Sequence, residues 1–175
     1  LGSYFAAVAF TNFSQDHLDY HNSMDEYFKA KRSLFTTTYS HNAVINIDDE
    51  KGTEIVEFAE KNGQKVFTVS TKDPHANVFV ECKNMTLDGS ELLIKITESE
   101  SVENQSEEFL VKTPLIGEFN HENVAVAIGL AKATGAQMSI ACSSLENPDT
   151  VPGRLQRPTI NPKFAVFVDY AHTPD

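Results

Sequence analysis

The segment from residue 11 to residue 31 holds the side chains best suited to chemistry. It reads TNFSQDHLDYHNSMDEYFKAK, with two histidines four positions apart, four carboxylates and two lysines. On a helix, His17 and His21 would project from one face, which is the spacing of half a zinc site. The same carboxylates also suit an ordinary solvated surface, and Lys31 suits an exposed lysine lying over its neighbours. Spacing alone leaves both interpretations open.

Two elements must position this segment. Residues 6–12, AAVAFTN, form a short apolar run that predicts a strand buried on both faces of a parallel sheet. Ligands bind at the carboxyl ends of such strands. Ser23, with Glu26 three residues later, forms a capping box, so residues 23–35 predict a helix. That helix would carry Lys31 back towards the end of the strand.

The next elements predict an α/β fold. Buried strands at residues 43–48 and 65–70 flank an amphipathic helix at residues 50–63, which Gly63 closes. This βαβ alternation is typical of a parallel sheet with flanking helices. Two acidic residues in NIDDE, Asp48 and Asp49, are interpreted as caps of that helix.

A different pattern follows residue 77. Three segments alternate apolar and polar residues, which predicts a small antiparallel sheet with one solvated face, and residues 98–107 are its predicted loop. A helix capped by Asn120 and closed by Gly135 comes next. The apolar run FAVFVDYA, residues 164–171, predicts a last buried strand.

Composition narrows the function classes. The chain has 14 lysines and arginines against 25 aspartates and glutamates, a formal net charge of −11. Without a basic run, this balance disfavours nucleic acid and membrane surfaces as partners. The two cysteines are too few for a disulfide framework and favour a reduced, cytoplasmic location. The sequence predicts neither a membrane-spanning segment nor a signal peptide, and it makes no prediction of oligomeric state.

Several motifs together resemble one family. FTN.SQDHLDYH followed by M.EY..AK closely resembles the central domain of the Mur ligases, specifically the UDP-N-acetylmuramoyl-tripeptide synthetase branch. GEFNHENVAVAIGLA is similar to the glycine-asparagine segment of that family, and VPGRLQR with VDYAHTPD is similar to its junction with the C-terminal domain. These matches occur in the family's order and extend across nearly the whole chain.

The resemblance implies a magnesium site. His17 is similar to the histidine that ligates magnesium between the ATP γ-phosphate and the acceptor substrate. Lys31 occupies the position of the lysine that reacts with carbon dioxide to become a carbamate, N6-carboxylysine. A carbamate presents two anionic oxygens, which a hard cation prefers to an ammonium. Lys29 lies two residues before the position of the carbamylated lysine. His21 is expected to support the shape of the motif or to contact the substrate.

The resemblance also implies contacts with ATP. The residues concerned are Asn120, Asn123, Arg154, Asp169 and His172. Each asparagine has a structural alternative, because Asn120 suits a helix cap and Asn123 suits a bond to the first helical turn. Arg154 is equally an ordinary surface arginine by residue type, although its five donors suit phosphate or ribose oxygens. Asp169, at the end of a predicted strand, suits a ribose hydroxyl.

The implied domain organisation divides the chain at the VPGR turn. Residues 1–152 would be most of a Mur ligase central domain, and residues 153–175 the hinge and the first strand of the C-terminal domain. No G-x-x-x-x-G-K-[ST] motif is present, so the family's phosphate loop is expected upstream. We therefore expect the 175 residues alone to lack ligase activity.

The implied activity is ATP- and magnesium-dependent ligation. The family joins an amino acid, here diaminopimelate or lysine, to a UDP-MurNAc-dipeptide through an acyl phosphate in peptidoglycan synthesis. An enzymatic alternative is another superfamily member of the folylpolyglutamate or cyanophycin synthetase type. A second alternative, from a different class, is a noncatalytic metal- or nucleotide-binding module that binds metal through His17 and His21.

Overall fold

The computed structural model describes residues 2–14, 23–97, 106–149, 151–156, 164 and 166–170. The strands in these ranges are β1 (Val8–Phe10), β2 (Asn42–Asn46), β3 (Lys65–Ser70), β4 (Val78–Thr86), β5 (Gly89–Thr97) and β6 (Ser106–Thr113). The helices in the same ranges are α1 (Met24–Arg32), α2 (Gly52–Lys61), α3 (Glu118–Ala133) and α4 (Met138–Ser144). No helix in the described residues is long and apolar enough to cross a bilayer.

The strands form one mixed sheet in the order β1-β2-β3-β4-β5-β6. The first four strands are parallel, and β5 is antiparallel to both β4 and β6. The predicted antiparallel strands are confirmed, but they continue the main sheet. They do so because the first two residues of β4, Val78 and Phe79, pair with β3 on one side and with β5 on the other. The rest of β4 extends beyond β3 and pairs with β5 alone.

Helices cover both faces of the sheet. Because neighbouring residues of a strand point to opposite faces, Val44 packs under α3 while Ala43 and Ile45 pack with α1 and α2. At Gly129, a Cβ would lie 2.7 Å from methyl groups of both Val44 and Val69. The missing side chain therefore lets α3 lie directly on the sheet.

The first two predicted helices are confirmed, with shorter ends. Ser23 caps α1 by accepting a hydrogen bond from the Glu26 N–H at 3.2 Å. Gly63 follows α2 with a φ of +78°, a left-handed conformation that glycine adopts without steric cost. The short helix α4 was not predicted. Of the predicted loop at 98–107, residues 98–105 lie outside the described residues.

Two other local predictions are wrong. Asn120 does not cap α3, because Gly117, with a φ of +91°, lets the helix begin earlier. The run FAVFVDYA is not a buried strand in its described part. It makes one antiparallel bridge, from Val168 to Gln156, and Phe164 is 72% exposed. An apolar run forms a buried strand only where neighbouring strands cover it, and the described residues supply one bridging partner.

Candidate functional site

The fold brings several strand ends to one edge of the sheet. Strand β6 runs in the same direction as β1–β4, because two antiparallel pairings restore the direction. The carboxyl ends of five of the six strands therefore point towards the same edge of the sheet, with β4 extending seven residues beyond its last pairing with β3. Open α/β sheets bind ligands along this kind of edge.

The loop after β1 is held from three sides. The Asn46 side-chain amide donates to the Thr11 carbonyl oxygen at 2.8 Å. The Phe13 N–H donates to Asp49 Oδ2 at 2.7 Å, while Asp49 Oδ1 accepts from the Lys51 N–H at 2.8 Å. The N-cap of α2 is Lys51, and no side chain caps the helix, so the predicted capping role of Asp49 is wrong. Asp49 instead forms a local turn just before α2 and ties that turn to the loop after β1.

Lys31 is the third anchor of the loop. Its Nζ donates to the Asn12 carbonyl oxygen at 3.1 Å. The same atom lies 4.8 Å from the ring centroid of Tyr27 and 5.8 Å from that of Phe13. Carbonyl oxygens and aromatic faces both attract cations, so these groups suit the unmodified ammonium. The capped helix α1 thus returns Lys31 to the end of β1, as the sequence predicts.

Carboxylates follow the next strands. Asp48 accepts hydrogen bonds from the Ser70 hydroxyl and from both the N–H and the hydroxyl of Thr71, the last two at 2.7 and 2.8 Å. Asp48 therefore joins the ends of β2 and β3, and its predicted role as a cap of α2 is wrong. Burial and the nearby Asp48 carboxylate raise the pKa of Glu122 on α3, against the opposing charge of Lys72.

A pocket of about 160 Å³ lies where the chain leaves β4 and β6. Its lining residues are Leu87, Asp88, Pro114, Leu115, Ile116, Asn120, Pro148, Asp149, Val151, Arg154, Leu155, Gln156 and Phe167. A pocket of this size accommodates part of a ligand, since whole small-molecule sites span about 300–1,000 Å³. A larger depression of about 450 Å³, lined by residues of the β4–β5 turn and by the end of β6, is more open to solvent, so it is the weaker candidate.

Asn120 and Arg154 both line this pocket. The Asn120 side-chain amide donates to the Ile116 carbonyl oxygen at 2.8 Å, and no donor in the described part of the chain bonds to its side-chain carbonyl oxygen. Arg154 is exposed and lies in the turn before Leu155, a residue with the left-handed φ of +44°. The Leu155 N–H donates to Asp169 Oδ2 at 2.7 Å, so Asp169 holds the turn that carries Arg154.

The chain is similar to known proteins over most of its length. A family model described as the Mur ligase middle domain matches residues 2–131. The chain belongs to the Mur ligase middle-domain family. The UDP-N-acetylmuramoyl-L-alanyl-D-glutamate--2,6-diaminopimelate ligase of a Nostoc species is 35% identical over 178 residues, covering 100% of this chain and 34% of that protein. The protein of the same name from Caulobacter vibrioides is 39% identical over 173 residues, which cover 97% of this chain and 34% of that protein.

Solved structures share the fold. A structure of a ligase with the same name matches this Mur ligase middle domain with a TM-score of 0.78 and 29% identity, covering 96% of this chain and 33% of that one. MurF from Acinetobacter baumannii matches with a TM-score of 0.71 and 19% identity, and the match covers 90% of this chain and 32% of that one. At this low identity the match shows the fold alone. The chain spans about a third of the length of the relatives it matches.

Not all predicted site residues of this Mur ligase middle domain can be placed. His17, His21 and His172 lie outside the described residues. Among the described residues, no group of three or more His, Cys, Asp or Glu side chains could hold a metal ion. Asn123 is exposed on α3. The metal ligands and the nucleotide contacts therefore stay predictions.

Sequence reasoning missed the two backbone segments that form much of the pocket wall. One is the β4–β5 turn at residues 87–89, whose Asp-Gly pair is a turn signal visible in the sequence. The other is the segment 114–116 after β6. Its contact with the turn joins residues far apart in the chain, and no local pattern predicts such a contact.

Proposed function

We propose that this Mur ligase middle domain holds ATP and Mg²⁺ for a ligase that extends UDP-MurNAc-L-Ala-D-Glu in peptidoglycan synthesis. The added amino acid would be diaminopimelate or lysine. The observation that carries the proposal is the position of two features at the carboxyl ends of strands. Lys31 lies at the end of β1, and the pocket lined by Asn120, hereafter the Asn120 pocket, lies at the ends of β4 and β6. The names of the relatives support the substrate class. The predicted cytoplasmic location stays a prediction.

Lys31 and His17 are the proposed magnesium ligands. The position of Lys31 fits this role, since its Nζ reaches the loop that leads into the His17 motif. As an ammonium it would repel the ion, and as the N6-carboxylysine carbamate it would offer two oxygens. When bound, Mg²⁺ would neutralise phosphate oxygens and so lower the barrier to attack on phosphorus.

Asn120, Asn123, Arg154, Asp169 and His172 are the proposed contacts of ATP. The volume of the pocket supports a base-sized ligand group, with the Asn120 side-chain carbonyl oxygen as an acceptor and Arg154 as a donor at its rim. Asp169 accepts the Leu155 N–H, and because a carboxylate can accept several hydrogen bonds, it could accept a ribose hydroxyl as well.

The proposed reaction has two steps. The carboxylate of the UDP-linked dipeptide attacks the γ-phosphorus of ATP, so an acyl–phosphate bond forms and ADP leaves. The amine of the incoming amino acid then attacks the acyl carbon, phosphate leaves, and the amine loses its proton. The described residues would position the reactants, while the rest of a longer polypeptide would supply the phosphate loop and the amino-acid site.

Carbon-13 NMR with labelled bicarbonate tests the carbamate directly. We expect a carbamate signal from the wild-type chain in the presence of Mg²⁺, and its loss in Lys31→Arg. Lys29→Arg is the matched control, since Lys29 is an exposed lysine on the same helix two residues away. A signal that survives Lys31→Arg, or that disappears equally in both variants, would contradict the assignment.

A ligase assay on the polypeptide that carries this segment tests the activity. ATP-dependent addition of diaminopimelate or lysine to UDP-MurNAc-L-Ala-D-Glu is expected, with release of ADP and phosphate. Arg154→Ala should raise the KM for ATP. Equal ligation without ATP, or no use of the UDP-linked dipeptide, would refute the proposed function.

A further inference from the structure

A buried histidine links α3 to the wall of the Asn120 pocket. His121 directly follows Asn120 and is only 4% exposed. Its Nε2 lies 2.9 Å from the Ser90 hydroxyl, which in turn donates to the Leu115 carbonyl oxygen at 2.7 Å. This chain of hydrogen bonds joins three elements, namely α3, the start of β5 and the segment after β6.

The direction of the hydrogen bonds follows from the number of protons. Ser90 has one hydroxyl proton, and it is used on the Leu115 carbonyl oxygen, so His121 Nε2 must be the donor to Ser90. Burial lowers the pKa of His121, against the opposing effect of the Glu118 carboxylate. The neutral imidazole therefore carries its proton on Nε2 and donates in one defined direction.

The same contacts fix both walls of the pocket. A Cβ on Gly89, whose φ is +149°, would overlap the Thr113 carbonyl oxygen, so the β4–β5 turn lies directly against the chain leaving β6. The next residue on β5 is Ser90, which bonds to Leu115 in the second wall. Both walls are thereby fixed relative to the helix that carries Asn120.

We propose that His121 is a positioning residue for this pocket. By donating to Ser90, it holds the β4–β5 turn and residues 114–116 at the spacing that a planar base requires, while Asn120 stays aimed between them. The proposal rests on the proposed function, because the adenine nucleotide is taken from it as the ligand class.

The test compares ADP binding by the full chain and its variants, measured by calorimetry. His121→Leu and Ser90→Ala each break the hydrogen-bond chain, and we expect about threefold to tenfold weaker binding, the range for one buried hydrogen bond. His121→Gln can donate from nearly the position of Nε2 and should bind within about twofold of wild type. If His121→Gln binds ADP nearly as tightly as the wild type while His121→Leu does not, the loss in His121→Leu comes from the missing hydrogen-bond donor and not from a change in the volume of the side chain.

Gln64→Leu is the matched control for general destabilisation. Gln64 is also buried and donates to a backbone carbonyl, that of Ser40 at 2.8 Å, but it precedes β3 at the opposite edge of the sheet. This variant should lose stability without losing ADP affinity. If His121→Leu behaves in the same way, His121 is merely structural and the proposal is overturned.

Amide hydrogen exchange tests the positioning without any ligand. His121→Leu should speed exchange in residues 86–90 and 113–117 more than Gln64→Leu does. Unchanged exchange rates in these two segments would overturn the proposal, whatever the ADP affinity of the variants. Failure of the wild-type chain to bind ADP would instead count against the proposed function, and the exchange result would still decide whether His121 positions the pocket walls.

Discussion

Replacement of Asp49 by asparagine should destabilise the chain through one long-range contact. In the wild type, Oδ2 accepts the Phe13 N–H at 2.7 Å and Oδ1 accepts the Lys51 N–H at 2.8 Å. An asparagine retains only one acceptor oxygen, so its NH₂ group would face one of the two donors. Hydrogen bonds to charged groups contribute about 1.5–3 kcal/mol each. Because Asp49 is only partly buried, we expect a loss of about 2 kcal/mol in the free energy of unfolding.

Urea unfolding measures this loss, and thermal unfolding should show a midpoint lower by about 4–8 °C for a chain of this length. Asp73→Asn is the matched control. Asp73 also accepts a backbone N–H, that of His75 at 2.9 Å, but the contact is local and exposed. The control should lose less than about 1 kcal/mol, in the range of surface substitutions.

One opposing effect must be removed before the result is interpreted. Asp49 also repels Glu122, so its neutralisation relieves some repulsion and would mask part of the loss. High salt screens that repulsion while leaving the short hydrogen bonds in place, so the measurement is repeated in about 1 M salt. Equal losses for Asp49→Asn and Asp73→Asn at high salt would refute the conclusion that this carboxylate holds the loop after β1.

Three further predictions follow from local environments. Since the folded-state pKa of Glu122 lies above its ordinary value of 4.5, its ionisation destabilises the fold as pH rises. Glu122→Gln should therefore raise stability at pH 7, with the gain disappearing below pH 4.5 in urea titrations. Burial raises the pKa of the Cys142 thiol to about 11, whereas Cys82 is exposed, so a thiol reagent should label only Cys82 before unfolding. Gly129→Ala should cost about 1–2 kcal/mol, because overpacking outweighs the gain in helix propensity, and adding Val44→Ala should recover part of it in unfolding experiments.

Local signals in the sequence predicted most elements of the fold. Strand β3 matches its predicted bounds of 65–70, and Ser23 and Gly63 act at the helix ends where they were expected. Each of these features depends on neighbours within a few residues, so a single sequence contains the information. The prediction for Asn120 failed because both asparagine and glycine suit helix starts, and only the backbone φ of Gly117 decides between them.

The contacts that shape the candidate site could not be predicted in the same way. Phe13 and Asp49 are 36 residues apart, and Ser90 and His121 are 31 residues apart. Each pairing depends on which strand ends become neighbours, and thus on the order of the whole sheet. The position of Lys31 was predictable because its helix follows β1 directly and returns to the same loop.

The hydrogen bonds at the sheet edge also bear on where a magnesium ion could bind. Asp48 accepts three hydrogen bonds and Asp49 two, all from groups that hold the ends of the strands and the following loops. A carboxylate has about four acceptor positions, so these bonds leave Asp48 about one and Asp49 about two for a cation. A cation that took more of them would compete with the hydrogen bonds that hold β3 to Asp48 and the loop after β1 to Asp49. Among the described residues, Lys31 makes a single hydrogen bond and lies beside aromatic rings, so its modification would cost the fold less. On these grounds Lys31 is a better candidate ligand than either aspartate. The labelled-bicarbonate NMR experiment on Lys31 is therefore a more informative first test than substitution of either aspartate.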